Sequence, residues 1–509
     1  MIDPKQMLAL YRKHGSLKAI ARNTKHSWRS VAASHKAAVE AGLIDPLKMG
    51  RKSKEDQIAP VTKQRVRALR PKRLVPKRGS VKRYLVTAAQ NNTNLHEETW
   101  KNLNALARHY GAEILVSPFL YHKRGLGARN DKAQLSVNLR DHDELWYDPK
   151  IVKHLCKTRV ELAKGLVFCG ELQILPTAVK PLSGLEVYTG RKSMIVPHTR
   201  QEMRSIATLE GDTKFNYSTG CVTLRNYIQA KAGLKAEFHH MYGGLIVEVG
   251  EEGYWHVRQL NADSDGTIYD WDLCAKNGRI TKGNRVEAIE PGDIHCRRLK
   301  KDVAQVLWGE GGVVDTLRPK FQFINDLLDF HTRGHHDIKD SFKMFSRHVE
   351  EKESVQDEII EAAGFLRQIY RSNCLTIVKD SNHDRHIYRW LSETDGRKDP
   401  INAEYWVKLN ALVFSKLRKQ KKFILLEEAI KQLGLDVPAK FIDCNTSYVI
   451  CRKYGGGIEC GMHGDLPFRV GLATFEKMGR RNNTGHGHTA GIFGGAFRAG
   501  KSCEDNMGY

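Results

Sequence analysis

Apolar positions along the chain fall into two rhythms. In residues 1–48 they recur at helical spacing, in MLALYRKHG, then SLKAIARNT, then SWRSVAASHKAAVEAG, with short breaks between. Ser16 and Ser27 stand where a hydroxyl can accept from a free N–H at a helix start, and Gly15 and Gly42 stand where helices end. From Tyr84 the rhythm shortens. YLVTAAQ predicts a strand, Asn94 to Arg108 a helix, and AEILVSPFLY a second strand, together a β-α-β unit. The apolar runs GLVFCGEL, SMIVPH and GGLIVEVG carry the mixed pattern to about residue 270. Between 391 and 440, EYWVKLNALVF and KKFILLEEAIKQLG read as amphipathic helices.

Beyond residue 285 one arrangement repeats: an apolar strand, a sharp turn, then a side chain able to hold a metal or move a proton. VEAI (286–289) leads to PGDIHC, with Asp293 and His295 on the same side of an extended segment. KFQFI (320–324) leads to NDLLDF, with Asp326 and then Asp329. LTIV (375–378) leads to Asn382, His383 and Asp384, and GGIEC (456–460) leads to His463. TGHGHTAG presents His486 and His488, although no strand is evident in the EKMGRRNN before it. Carboxylate, imidazole and amide oxygen suit borderline cations such as manganese, iron or zinc. The adjacent His239 and His240 read instead as core or surface histidines.

Charge adds a partner to this picture. The 82 Lys and Arg against 58 Asp and Glu give a net charge of +24, which implies a polyanion, and nucleic acid fits a soluble chain best. Residues 49–83 concentrate it: Pro60, Pro71 and Pro76 interrupt any helix. That segment reads as a cationic tether with Arg70, Lys72 and Arg73 along phosphates, the alternative being a solvated spacer. The helical head has a short helix, a turn and a longer helix, the outline of a helix-turn-helix. It would set Trp28, Arg29, Ser30 and His35 toward a major groove; a small packing bundle is the alternative. Ten cysteines without a CxxC pair argue for reduced thiols and against zinc held by cysteine. No run approaches the roughly 18 apolar residues of a membrane span. The start, MIDPKQMLALYRKHG, has no signal-peptide block, so the cytoplasm is the expected location. Four segments follow: a DNA-binding head (1–48), a linker (49–83), a mixed α/β region (84–270) and a catalytic domain (271–509).

The order D-x-H, (G/N)D, NHD, lone His and GHxH resembles the calcineurin-like metallophosphoesterase superfamily over about residues 286–493. The resemblance implies an α/β fold, a metallophosphoesterase sandwich of two mixed sheets flanked by helices. It also implies two divalent ions, Mn2+ first, with Fe2+, Zn2+ or Mg2+ as alternatives. By that pattern one ion is held by Asp293, His295, Asp326 and His488, and the other by Asp326, Asn382, His463 and His486. Such pairs lie about 3.5–4 Å apart and clamp an in-line phosphoryl displacement by water. His383 would protonate the leaving oxygen or stabilise its charge, and Asp384 would fix the tautomer of that ring.

Asp329 is followed by Phe330 and His331 where the protein phosphatases carry Arg-Gly. The chain is therefore most similar to the nuclease branch of double-strand-break-repair exonucleases, and more narrowly to the early DNA-degrading, DNA-transfer proteins of some bacteriophages. Arg333, His335 and His336 are candidate contacts to the substrate phosphate. There are departures. Asn325 and Ser381 replace glycines of the pattern, and only AGIFGGAF is left to supply a strand after the last motif. The expected function is a metal-dependent DNA nuclease. The alternatives are a DNA-binding regulator or structural protein with a vestigial metal site, and a phosphatase or cyclic-nucleotide phosphodiesterase. DNA is the expected partner and a membrane is not; cleavage polarity and oligomeric state, a homo-oligomer included, stay open.

Overall fold

The computed structural model describes residues 2–14, 17–41, 81–121, 146–208, 213–420, 422–453, 455–466 and 471–504. It divides into two compact units, residues 1–60 and 61–509. The first holds α1 (Pro4–His14), α2 (Leu17–Asn23) and α3 (Trp28–Glu40) around Ile2, Met7, Ile20, Val31 and Ala38. Ser27 caps α3, accepting from the Ser30 N–H at 3.3 Å, so the short helix, turn and longer helix have the expected outline. Arg29 is exposed and Ser30 half-buried. His35 departs from its expected place: it is 7% exposed, on the packed side of α3 beside the buried Ser34, whose Oγ accepts from the Ile2 N–H. The Trp28 side chain, Gly15, Ser16, Gly42 and the tether with Arg70, Lys72 and Arg73 lie outside the described residues.

The second unit opens with β1 (Lys82–Gln90), α4 (Glu97–Tyr110) and β2 (Glu113–Phe119), with β1 and β2 parallel as the pattern predicts. Then come β3 (Arg159–Ala163), β4 (Leu166–Cys169), β5 (Ser193–Val196), β6 (Glu202–Ile206), β7 (Lys214–Ser218) and α5 (Lys231–Phe238). β8 (Gly243–Val249) pairs back onto β1 and β9 (Trp255–Asn261) onto β8, and β10 (Ile268–Asp270), β11 (Leu273–Lys276) and β12 (Arg279–Thr281) form a small meander.

The next stretch alternates strand and helix. β13 (Ala288–Ile289) is followed by α6 (Lys301–Trp308) and α7 (Val313–Leu317), and β14 (Phe321–Ile324) by α8 (Ser341–Val349) and α9 (Val355–Gln368). β15 (Leu375–Lys379) is followed by α10 (His386–Glu393), α11 (Ala403–Arg418) and α12 (Leu425–Gln432) before β16 (Ala439–Ile442). These four strands form a parallel sheet in chain order, because each crossover is long enough to return the chain to the same edge. The chain then adds β17 (Val449–Ile450), β18 (Ile458–Glu459), α13 (Leu472–Glu476), β19 (Arg481–Thr484), β20 (Gly491–Phe493) and β21 (Ala496–Arg498).

One long sheet runs β17-β18-β19-β21-β20-β6-β7-β5-β4-β3. Its join is the antiparallel pairing of Phe493 with Glu202, so strands from 159–218 and from 449–498 share a sheet, and the boundary expected at residue 270 does not divide them. Phe323 and Ile377 of the parallel sheet pack on Ile450 and Cys460 of the long one, forming the interior of the expected sandwich. On the far face Ile324 and Val378 pack under Ile359, Leu366, Leu409 and Leu426 of the helices. The molecule is thus an α/β sandwich flanked by helices. β19 corrects the expectation that no strand precedes GHGH. It is a polar strand whose buried Asn482 donates to the Phe475 and Arg480 carbonyls, so no apolar pattern marks it. Among the described residues no helix is long and apolar enough to cross a membrane.

Candidate metal centre

Parallel β13, β14 and β15 deliver their following loops to one edge of the sheet, where ligands of such sheets are held. Backbone bonds then lock the loops together. The N–H groups of Ile294, His295 and Cys296 donate to the carbonyls of Asn325, Asp326 and Leu327, at 3.1, 2.7 and 3.1 Å. The Gly485 N–H donates to the His463 carbonyl, and the His486 N–H to Asp293 Oδ1 at 3.0 Å. Gly485 permits this approach: a Cβ there would lie 2.3 Å from Asp293 Oδ1 and 2.7 Å from Asn325 Cγ. His295, Asp326 and His486 all take left-handed backbone angles, with φ of 45, 44 and 62°. Each costs on the order of 1–3 kcal/mol in a residue with a side chain, and strain of this kind gathers at functional sites.

The seven expected ligands come together. Asp326 is central: Oδ1 lies 3.3 Å from His463 Nε2 and Oδ2 lies 3.6 Å from His295 Nε2, so its two oxygens face two donor sets. Asp293 Oδ2 is 4.0 Å from His488 Nε2. Asn382 Oδ1 is 3.1 Å from both His463 Nε2 and His486 Nδ1. Asp293, His295, Asp326 and His463 are all buried, and neither oxygen of Asp326, nor Asp293 Oδ2, nor His295 Nε2 has a well-formed hydrogen bond. Burial and the neighbouring Asp326 push Asp293 up to about 7. Burial opposes a charged His463, yet Asp326 and Asp293 outweigh it and push the ring up to about 8. Buried carboxylates need a countercharge, and this donor set, aimed inward and otherwise unsatisfied, fits divalent cations.

Asn325, where the pattern has glycine, orients one of these ligands. Its Nδ2 donates to Glu290 Oε1 at 3.1 Å, which turns Oδ1 to accept from His463 Nδ1 at 3.2 Å. Glu290 is held by the buried Lys379, whose Nζ lies 2.5 Å from the same oxygen and donates to the Met462 carbonyl at 3.0 Å. With one proton committed at Nδ1, His463 turns Nε2 toward the oxygens of Asp326 and Asn382, and a cation bound there would displace the Nε2 proton and take its lone pair. Asp329 does a similar job for His295, with Oδ1 3.2 Å from Nδ1, and is itself held by Arg298 at 3.0 Å. Asp329 is visible in NDLLDF, but nothing in the sequence ties it to a histidine 34 positions earlier.

No protein-family model matches the sequence. Over 445 residues the chain is 36% identical to Protein A1 of Escherichia phage T5, across 84% of this chain and 77% of that protein. The chain belongs to the Protein A1 family.

In this Protein A1 relative, three expected roles are revised. Asp384 does not orient His383. Its Oδ1 accepts from the Leu328 N–H at 2.8 Å, because the tight turn after β15 directs it down onto the Asp326 loop, and burial pushes it up to about 7. His383 Nδ1 instead meets the Asp329 carbonyl at 3.2 Å, and its ring lies 4.6 Å from that of His295. One His383 nitrogen also lies within 4.8 Å of a donor atom of His295 and of Asp326, so the sequence division between ligand and free histidine is less sharp in space. Arg333 is unavailable to a substrate: it is 5% exposed and clamped on Asp399 through Nε at 2.6 Å. Ser381 needs no glycine, since its φ is not positive and its Oγ accepts from the Asp384 N–H at 3.1 Å. His335 and His336 do reach the centre's vicinity, lining a cavity of about 280 Å³ together with Asn382, His383, His486 and His488.

Proposed function

We propose that this Protein A1 relative is a metal-dependent nuclease that hydrolyses DNA phosphodiester bonds, with the metallophosphoesterase resemblance extending to its chemistry. The observation that carries the reading is Asp326, buried and without a well-formed hydrogen bond, each of its oxygens facing a separate histidine-containing donor set. The residues that would hold two divalent ions, Mn2+ foremost, are Asp293, His295, Asp326 and His488 for one and Asp326, Asn382, His463 and His486 for the other. Bound there, such ions supply charge against the phosphate oxygens and acidity to an attacking water.

In the hydrolysis, the water oxygen bonds to phosphorus as the bond from phosphorus to the leaving sugar oxygen breaks. The water's proton passes to solvent, and His383 hydrogen-bonds or protonates the leaving oxygen. Burial keeps the His383 ring below its usual range, with Asp326 acting in the opposite sense. The negative phosphodiester arriving beside it favours the protonated form. DNA as substrate is supported by the net charge of +24 and by the helix-turn-helix outline of the first unit with its exposed Arg29. The tether residues would add non-specific phosphate affinity, and the host cytoplasm would be the place of action.

The test is an assay on end-labelled linear and closed circular DNA across Mn2+, Mg2+, Fe2+ and Zn2+, beside bis-p-nitrophenyl phosphate. Metal-dependent, chelator-sensitive DNA cleavage is expected. Turnover of the small diester with intact DNA would move the protein to the phosphodiesterases. DNA binding without any hydrolysis, indifferent to metal, would make it a regulator or structural protein.

A further inference from the structure

The cavity beside the candidate metal centre is lined by Asn382, His383 and His488 and by His335, His336 and His386. Successive rings form a ladder leading outward. Centroids are 4.6 Å apart from His295 to His383, 4.9 Å from His383 to His386, 4.7 Å from His386 to His335, and 3.8 Å from His335 to His336. The outer three side chains make no hydrogen bond among the described residues, and His335 Nδ1 is buried without a partner. They are not a third metal site, because their nitrogens do not converge as the ligands of the centre do. Nor do His335 and His386 make an anion clamp: burial, aided by His383 and His335, pushes His386 down to about 3, and burial lowers His335 as well. What the three rings offer is a set of aromatic faces.

Access and size narrow the occupant. His383 is only 9% exposed, so a phosphate reaches it by entering the cavity. At about 280 Å³ the space is at the small end of ligand clefts, enough for one nucleotide and too small for a stacked base pair. Base–aromatic stacking is the interaction that tolerates any base sequence.

We propose that this cavity is a nucleobase subsite: one unpaired nucleotide seats with its base against His335, His336 and His386 while its phosphate reaches His383. The proposal rests on the nuclease reading and specifies its substrate as single-stranded or frayed DNA. A duplex is cleaved where a nucleotide can leave the stack, and a nick, gap or unpaired end supplies that at least cost.

The experiment compares the full-length protein with Mn2+ on four oligonucleotides: single-stranded, blunt duplex, duplex with an unpaired end, and single-stranded with one abasic nucleotide at the mapped cleavage position. The single strand and the frayed end are expected to be cut with kcat/KM on the order of 10–100-fold above the blunt duplex. The abasic nucleotide is expected to raise KM by about tenfold or more. His335→Ala/His336→Ala should raise KM for the intact strand by a similar factor and add little on the abasic strand, since both changes remove the same contact. His335→Phe/His336→Phe should restore KM, which a merely structural role would not predict. Equal cleavage of blunt and single-stranded DNA, with an abasic nucleotide cut as well as an intact one, would overturn the subsite and leave the nuclease reading standing. That arm uses the unaltered protein and does not depend on the variants folding. Absence of DNA hydrolysis on every substrate would overturn both.

Discussion

Asn325→Asp exchanges an amide NH2 for a carboxylate oxygen where the candidate metal centre meets the buried Lys379–Glu290 pair. In the native protein that NH2 donates to Glu290 Oε1 at 3.1 Å, and the amide oxygen accepts from His463 Nδ1 at 3.2 Å. The substitution sets two carboxylates at that separation in a site closed to water, with Asn325 fully buried. At an effective dielectric near 20 the repulsion is about 5 kcal/mol, offset in part by Lys379. The introduced group can escape it by taking up a proton or by swinging off His463. Either route disturbs the orientation of one ligand, and loss of such an orienting partner typically costs about 10–100-fold in metal affinity.

Mn2+ titration followed by calorimetry, with thermal unfolding of the metal-free protein alongside, measures both effects. Asn325→Asp should weaken Mn2+ by that factor and lower Tm. Adding Glu290→Gln should recover part of that affinity, because it removes the second carboxylate and leaves the introduced one as the countercharge near Lys379. Wild-type affinity in the single variant, or a double variant no better than the single, would refute the argument that this chain of contacts orients His463.

Four further outcomes follow from the geometry. Asp326→Ala should abolish Mn2+ binding and hydrolysis together, while His383→Ala should keep metal and lose about 10²–10⁴-fold in turnover, read by calorimetry and steady-state kinetics. Gly485→Ala, whose methyl would sit 2.3 Å from Asp293 Oδ1, should destabilise by about 1–3 kcal/mol and weaken Mn2+, seen in denaturant melts. Arg333→Ala strands the partly buried Asp399 and should cost roughly 3 kcal/mol of stability; a raised KM with unchanged melting would return Arg333 to the substrate. Removing residues 1–83 should flatten the salt dependence of DNA affinity without abolishing hydrolysis of a small diester, measured by binding titrations across ionic strength.

Asp293, His295, Asp326 and Asn382 were legible in the sequence because each follows an apolar strand, and a parallel sheet brings strand ends to one edge whatever the helices between them do. His463, His486 and His488 come from the long sheet and were legible from their own motifs. Contacts made across the turns were not. Asp384 stands next to His383 in sequence and faces away from it in space, since successive residues of a tight turn diverge. Asn325 reads as a tolerated replacement for glycine, and only the position of Glu290, 35 residues earlier, reveals what its amide holds. Arg333 looks like a substrate contact until Asp399, 66 residues on, is seen to occupy it. β19 was hidden because a strand whose buried asparagine bonds to neighbouring carbonyls has no need of apolar side chains. The helix outline at 17–40 was readable from period and caps, whereas the inward turn of His35 depended on packing that periodicity alone does not resolve.

The seam between Phe493 and Glu202 has a consequence for how this protein can be taken apart. The GHGH histidines hang from strands whose outer neighbour is contributed nearly 300 residues upstream. A piece beginning at residue 271 would therefore retain every candidate metal-ligating side chain yet leave β20 with a bare row of amides and carbonyls, the kind of edge that recruits other copies into aggregates. The upstream strands act as a keystone for the candidate metal centre, and the half that carries it is not a portable cassette.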